Sequence, residues 1–158
     1  MNGLSRFPAQ QELRARLGEH FERLAAGIPG VTIKHRDPRI TRWSFYRYIF
    51  EIDPDAFAGA TNEQVAEALE AEGVPAEVQY PPMSRYDLFQ PSRSRLPVCV
   101  AYADRLDPSR WSFPVAEDAA ERRAVYLNEN VFRAGRKGVE DAVEALAKIQ
   151  KNADELSV

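Results

Sequence analysis

The segment from Trp43 to Ile52 constrains the fold most, because apolar side chains fill both parities of an extended chain. One parity carries Trp43, Phe45 and Ile49, and the other carries Tyr46, Tyr48, Phe50 and Ile52. Such a pattern is typical of a strand in the middle of a sheet that is covered on both faces. We therefore predict a central strand over residues 43–52. Arg47 is its exception and requires an anionic partner or a route to solvent.

Helical patterns alternate with short apolar runs elsewhere in the chain. Apolar residues recur at helical spacing over residues 8–26, with Pro8 suited to the first turn. Thr61 and Gln64 have the spacing of a capping box, and Gly73 suits the end of the helix that follows. The last helix buries a stripe at three- and four-residue spacing, consisting of Val139, Ala142, Val143, Leu146 and Ile149.

Two further strands are predicted, over residues 74–80 and 124–127, with short helices over residues 98–104 and 115–123. A helical turn is predicted near Tyr86, Leu88 and Phe89. Strands separated by helices favour an α/β (α+β) fold with two layers, in which the helices lie mostly on one face of a small sheet. At 158 residues, the chain is predicted to be a single domain, residues 1–158.

Composition narrows the functional classes. The net charge of −3 argues against binding to a nucleic acid, whose phosphates require a basic surface. No apolar run is long enough to cross a membrane, and the residues after Met1 lack the charged-then-apolar pattern, so no leader is expected there. The single cysteine, Cys99, lies between two valines and is predicted to be an inert packed thiol. We therefore expect a cytoplasmic protein that contacts neither nucleic acid nor membrane.

No short motif predicts catalysis, cofactor binding or a metal site. The turn from Gly135 to Gly138 resembles an anion cradle but lacks the P-loop spacing, so an exposed turn explains it more simply. The two histidines, His20 and His35, lack the spacing of paired metal ligands. Turn and surface roles explain the closely spaced carboxylates, which are Asp53 with Asp55 and Glu117 with Glu121.

Several phrases of the sequence occur together in the order of one known family. A charged helix ends near Ile28-Pro-Gly30, and an aromatic strand reads Ser44-Phe-Tyr-Arg-Tyr48. The later phrases are Gln79-Tyr-Pro-Pro-Met83, Phe113-Pro-Val-Ala-Glu117 and Ala145-Leu-Ala-Lys-Ile149. In this order the chain resembles the C-terminal, small domain of the DegT/DnrJ/StrS aminotransferases, most of all those that act on keto-cyclitols, keto-sugars and aminohydroxybenzoate precursors.

The resemblance implies the aspartate aminotransferase-like fold (fold-type I) and a parent enzyme that uses pyridoxal phosphate. In this family the cofactor-bearing lysine lies in a large domain, which is expected to precede Met1. None of the four lysines, Lys34, Lys137, Lys148 and Lys151, matches that position. The chain alone is therefore expected to bind no cofactor and to need the large domain as its partner, with a homo-oligomeric assembly and a small-molecule amino acceptor.

The resemblance also implies candidate substrate-rim residues. The segment that begins at Gln79 matches one that approaches the mouth of the active site, so Gln79 and Tyr80 are the first candidates and Arg47 the third. Tyr80 combines an apolar ring with a polar tip, which suits a hydroxylated ring substrate. This chain has Asn128 and Glu129 where the family often has proline and histidine, so the substrate preference stays open.

Two other functions are compatible with the residues. The chain is alternatively a free-standing, non-catalytic interaction or regulatory domain, or a small-molecule or nucleic-acid sensor with a similar sheet. The helical stripe of Leu13, Leu17, Phe21 and Leu24 is the predicted docking surface in either an enzyme or an interaction domain.

Overall fold

Four short strands form one antiparallel sheet in the order β1-β2-β4-β3 in the computed structural model, which describes residues 2–34, 36–78, 80–86 and 90–157. The strands are β1 (Val31–Ile33), β2 (Arg47–Ile52), β3 (Ala76–Val78) and β4 (Ala124–Asn128). Tyr48 lies opposite Leu127 on β4, and Ala76 of β3 also pairs with Leu127. The predicted mixed α/β fold with a small sheet is confirmed, and β1 is a strand that the sequence did not predict.

Three long helices cover one face of this sheet, as predicted. They are α1 (Asn2–Ala25), α2 (Asn62–Ala71) and α7 (Gly135–Lys151), and they contact one another or the strands through the core. The helix α1 begins six residues before Pro8, so the prediction that Pro8 opens the helix is wrong. A proline inside a helix lacks the N–H that would bond the carbonyl four residues before it, and its ring crowds that carbonyl, so the turn before Pro8 is weakened.

The capping box of α2 is confirmed. The Thr61 hydroxyl accepts from the Gln64 amide, and the Gln64 side chain accepts from the Thr61 amide. Gly73 follows the helix with φ of +84°, a left-handed conformation that favours glycine. These local contacts fix both ends of α2 and position Val65 and Leu69 in the core.

Aromatic rings form the centre of the core. Phe21 of α1 lies 5.0 Å from Tyr48 and 5.9 Å from Phe50 between ring centroids, both on β2. Phe132, on the short helix α6 (Glu129–Arg133), packs edge-on to Phe45 at 4.8 Å. The Tyr48 hydroxyl donates to Glu22, and burial is the main cause that raises the pKa of this tyrosine.

The helical stripe of Leu13, Leu17, Phe21 and Leu24 was predicted to be a docking surface. This prediction is wrong for its inner members, Leu17 and Phe21, because both are buried in the core.

The strand predicted over residues 43–52 differs from the observed β2. It begins only at Arg47, because Trp43 leaves the sheet and packs on α1. Gly18 permits this contact, since a Cβ atom there would lie 2.4 Å from the Trp43 ring. β2 is an inner strand, but one of its faces is not covered, and Ile49 there is 41% exposed. The strand with both faces buried is β4, from Ala124 to Leu127.

Residues 91–113, here called the arm, lie between β3 and β4 in the order of the chain. The arm contains two short helices, α3 (Pro97–Ala101) and α4 (Ala103–Leu106), and turns at Pro91–Arg93 and Pro108–Arg110. None of its described side chains belongs to the hydrophobic core. After the arm, α5 (Pro114–Asp118) and a π-helical turn (Ala119–Arg123) lead into β4. Cys99 of α3 is half-buried rather than packed, which corrects the prediction made for it.

Candidate functional site

One predicted rim residue, Tyr80, lies at the edge of the sheet formed by β3. Tyr80 follows β3 by two residues, and its side chain is 66% exposed. Gln79 lies outside the described residues. The two prolines that follow, Pro81 and Pro82, cannot donate to a ladder, which explains why β3 ends here. The local sequence thus turns the chain out of the sheet and leaves the Tyr80 ring and hydroxyl accessible.

Arg47 lies on the same sheet, two strands from β3. Its guanidinium crosses β4 and donates to Glu77 of β3, which is the anionic partner that the sequence required. The guanidinium carbon lies 5.5 Å from the ring centroid of Tyr46 and 5.6 Å from that of Tyr126. The hydrogen bond that Arg47 donates to Glu77 is the main cause that raises the pKa of Arg47. Arg47 therefore ties β2 to the strand that leads into Tyr80.

This arrangement supports a positioning role for Arg47 better than direct contact with a substrate. Its side chain is only 19% exposed, and its Nε has no hydrogen-bond partner among the described residues. A charged side chain held between tyrosine rings and a carboxylate is fixed in direction, since each contact favours one orientation. The structure joins Arg47 to β3 through Glu77, three residues before Tyr80.

An apolar groove lies beside the Tyr80 segment and was missed by the sequence analysis. It has a volume of about 630 Å³ and runs between Pro82 and Met83 on one side and the arm on the other. The arm contributes Leu106, Trp111 and Phe113. The signal was present in the sequence as bulky apolar residues among prolines, but no periodicity assigned them to a face.

The lysines do not fit the cofactor that the resemblance implies for the parent enzyme. Lys34 pairs with Glu51, Lys137 with Asp141 and Lys148 with Glu72, each at 2.7–2.8 Å. All three are exposed, as is Lys151. A lysine that acts as a nucleophile must lose its proton, and it does so most readily in a desolvated or cationic setting. The carboxylate partner instead raises the pKa of Lys137.

The remaining polar clusters have structural explanations. Gly138 lies against α6, where a Cβ atom would come within 2.5 Å of the Val131 carbonyl oxygen, and Arg136 and Lys137 pair within α7. His20 contacts Glu140 at 3.0 Å and joins α1 to α7, whereas His35 lies outside the described residues. In the part of the chain that the structure describes, no group of three or more metal-ligating side chains occurs.

The closely spaced carboxylates also take structural roles. Asp53 accepts from the Asp55 amide in a turn, and Glu121 pairs with Arg85.

No described helix is long and apolar enough to pass through a bilayer.

Similarity to known proteins identifies the family of this chain. Residues 1–131 match the profile of the DegT/DnrJ/EryC1/StrS aminotransferase family, and the chain belongs to that family. The chain is 36% identical over 152 residues to a putative L-glutamine:3-amino-2,3-dideoxy-scyllo-inosose aminotransferase of Streptoalloteichus tenebrarius, covering 92% of this chain and 36% of the relative. It is 29% identical to the L-glutamine:scyllo-inosose aminotransferase of Streptomyces griseus, covering 99% of this chain and 37% of that relative.

Solved structures agree with this assignment. The chain matches 3-amino-5-hydroxybenzoic acid synthase with a TM-score of 0.69 and 26% identity, over 94% of this chain and 36% of that one. It matches a Helicobacter pylori aminotransferase of pseudoaminic acid biosynthesis with a TM-score of 0.65, over 96% of this chain and 35% of that one; at 18% identity this likeness concerns the fold alone. The chain thus spans about a third of the length of its relatives.

Proposed function

We propose that residues 1–158 form the single C-terminal, small domain of a pyridoxal-phosphate-dependent aminotransferase that transfers an amino group to a keto-cyclitol or keto-sugar. The observation that carries this proposal is the match to cyclitol aminotransferases along nearly the whole chain, at up to 36% identity, with only about a third of each relative covered. Pyridoxal phosphate supplies the electron sink in such enzymes, and its lysine belongs to the large domain.

The proposed contribution of this chain is to the rim of the substrate site. Tyr80 presents a ring and a hydroxyl that suit a polyhydroxylated ring, and Gln79 is the second candidate for a polar contact. Arg47 acts through Glu77 by fixing β3, which leads into this segment. The resemblance to the aminotransferase family indicates that the amino donor is glutamine or glutamate. A homo-oligomer, a cytoplasmic location and the inactivity of the isolated chain are further parts of this proposal.

A chimera tests the function. The chain replaces the matching segment of the Streptoalloteichus tenebrarius relative, and amino transfer from L-glutamine to a panel of keto-cyclitols and keto-sugars is measured. We expect transfer to at least one acceptor, and a rise in KM when Tyr80→Ala is introduced. A chimera that folds and binds pyridoxal phosphate but transfers no amino group would instead favour the alternative of a non-catalytic interaction or regulatory domain.

A titration tests the isolated chain. Pyridoxal phosphate is added, the mixture is reduced with borohydride, and the products are analysed by mass spectrometry. We expect only substoichiometric labelling spread over the four lysines, because each is exposed and three of them are paired with carboxylates. A stoichiometric adduct on one lysine would show that this chain holds the cofactor by itself.

A further inference from the structure

The arm carries an unusual density of exposed apolar side chains. Seven large ones are between 37% and 68% exposed, and they are Leu96, Val98, Val100, Tyr102, Leu106, Trp111 and Phe113. They fall within 18 consecutive positions of the chain. Scattered surface apolar residues are normal, but a concentrated patch of this kind marks an interaction surface. This concentration of apolar side chains indicates that the arm is an interaction surface.

Hydrogen bonds within the arm hold this surface in shape. The Trp111 indole N–H donates to the Arg105 carbonyl oxygen at 3.2 Å, and the Arg110 guanidinium donates to the Asp104 carbonyl oxygen at 2.8 Å. Asp107 caps the following turn by accepting from the Ser109 amide at 2.9 Å. An interface that is already ordered loses less conformational entropy on binding, which favours docking of the arm as a unit.

The arm and the Tyr80 segment form one continuous surface. Trp111 and Phe113 line the groove whose other wall is Pro82 and Met83, directly after the rim residue Tyr80. Tryptophan and arginine are the residues that most often dominate binding energy at interfaces. A partner that fills the groove would also fix the segment that carries Tyr80.

The charge of the arm distinguishes between possible occupants. It has four arginines and two aspartates, a net charge of +2, whereas the whole chain carries −3. Arg95 and Arg105 form no ion pair with a described carboxylate. A symmetric dimer through the arm would place two positive surfaces together, which disfavours a second copy as the occupant. The suitable partner is an apolar face with a carboxylate rim.

We propose that the arm docks onto the large, cofactor-bearing domain of the aminotransferase, and that Trp111 and Phe113 are the anchors of this contact. The inference rests on the proposed function and names the partner of its site. Nearly two-thirds of the length of each relative has no counterpart in this chain, and a part of that size is large enough to provide such a surface. Docking holds the Tyr80 segment at the mouth of the substrate site.

Hydrogen exchange tests the docking, with the free full chain compared with the chimera. We expect amides of residues 96–113 to exchange at least ten times more slowly in the chimera. The double variant Trp111→Ala/Phe113→Ala should restore fast exchange, because anchor residues are worth on the order of 30-fold in affinity. Ile40→Ala, an exposed apolar residue in another loop, is the matched control and should leave the protection intact.

Three results would overturn the docking. One is equal exchange of the arm in the free chain and the chimera, and another is loss of protection with Ile40→Ala as well. The third is self-association of the free chain that the double variant abolishes, which would make a second copy the occupant. Amino transfer by the chimera is measured in a separate assay. An active chimera with an unprotected arm retains the proposed function and refutes the docking, and an inactive chimera with a protected arm does the reverse.

Discussion

The body of the molecule and the arm contain the same kinds of apolar residue but bury them differently. In the body, Leu17, Phe21 and Ala25 recur every four residues along a helix of 24 residues, and all three are buried against the sheet. In the arm, the helices α3 and α4 have only five and four residues, so neither presents a continuous stripe to the sheet. Short helices are stabilised by tertiary packing, which the arm must find outside the body.

The largest effect is expected at the centre of the body. Phe21→Ala should lower the free energy of unfolding by about 3–5 kcal/mol, because it removes a fully buried ring that packs against Tyr48, Phe50 and Phe132. Urea denaturation followed by circular dichroism measures the change. Phe113→Ala, which removes the same ring from the arm, is the matched control. A cost below about 1 kcal/mol for Phe21→Ala would contradict the assignment of the core.

The next effect concerns the buried amide that joins α2 to β4. The Asn62 side-chain N–H groups donate to the carbonyl oxygens of Ala120 and Ala124, both at 2.9 Å, and Asn62 is buried. Asn62→Leu leaves these two carbonyl groups without that donor, which should cost about 1–3 kcal/mol. Thermal or urea unfolding reports the loss. Asn152→Ala removes an exposed amide and should cost less than half as much.

The sequence predicted the elements that local chemistry determines. The capping box of Thr61 and Gln64 and the buried stripe of α7 depend on residues three or four apart, so both could be seen without knowledge of the fold. The strand β1 was missed because its three residues, Val31 to Ile33, are a strand only through pairing with β2. The start of β2 was misplaced because the packing of Trp43 depends on Gly18, 25 positions earlier in the chain.

The candidate site was predicted less completely than the fold. The segment around Tyr80 came from the resemblance to a family, since spacing alone assigned it no chemistry. The sequence indicated that Arg47 needs an anionic partner but did not identify Glu77. Glu77 lies 30 residues away and reaches Arg47 only across β4. The groove joins Met83 to Trp111 and Phe113, and no local pattern relates residues that far apart.

A smaller effect is expected at the start of α2. Thr61→Ala removes the hydroxyl that accepts from the Gln64 amide, and N-cap losses of this kind typically cost about 1 kcal/mol. Thr61→Ser should restore most of the stability, because serine supplies the same acceptor. Thr41→Ala, in an exposed loop, serves as the control, and an equal loss at Thr41 would show that the cap is not the cause.

The smallest effect is expected in the arm of the free chain. Val100→Ser should change the free energy of unfolding by no more than about 0.5 kcal/mol, because Val100 is 68% exposed and lies outside the core. Urea midpoints measured beside Phe21→Ala give the contrast directly. A loss above about 1.5 kcal/mol would mean that the arm folds as part of the body. A loss near zero would show that Val100 contributes little to the stability of the free chain, which is the result expected if the arm packs on a partner instead of on the body.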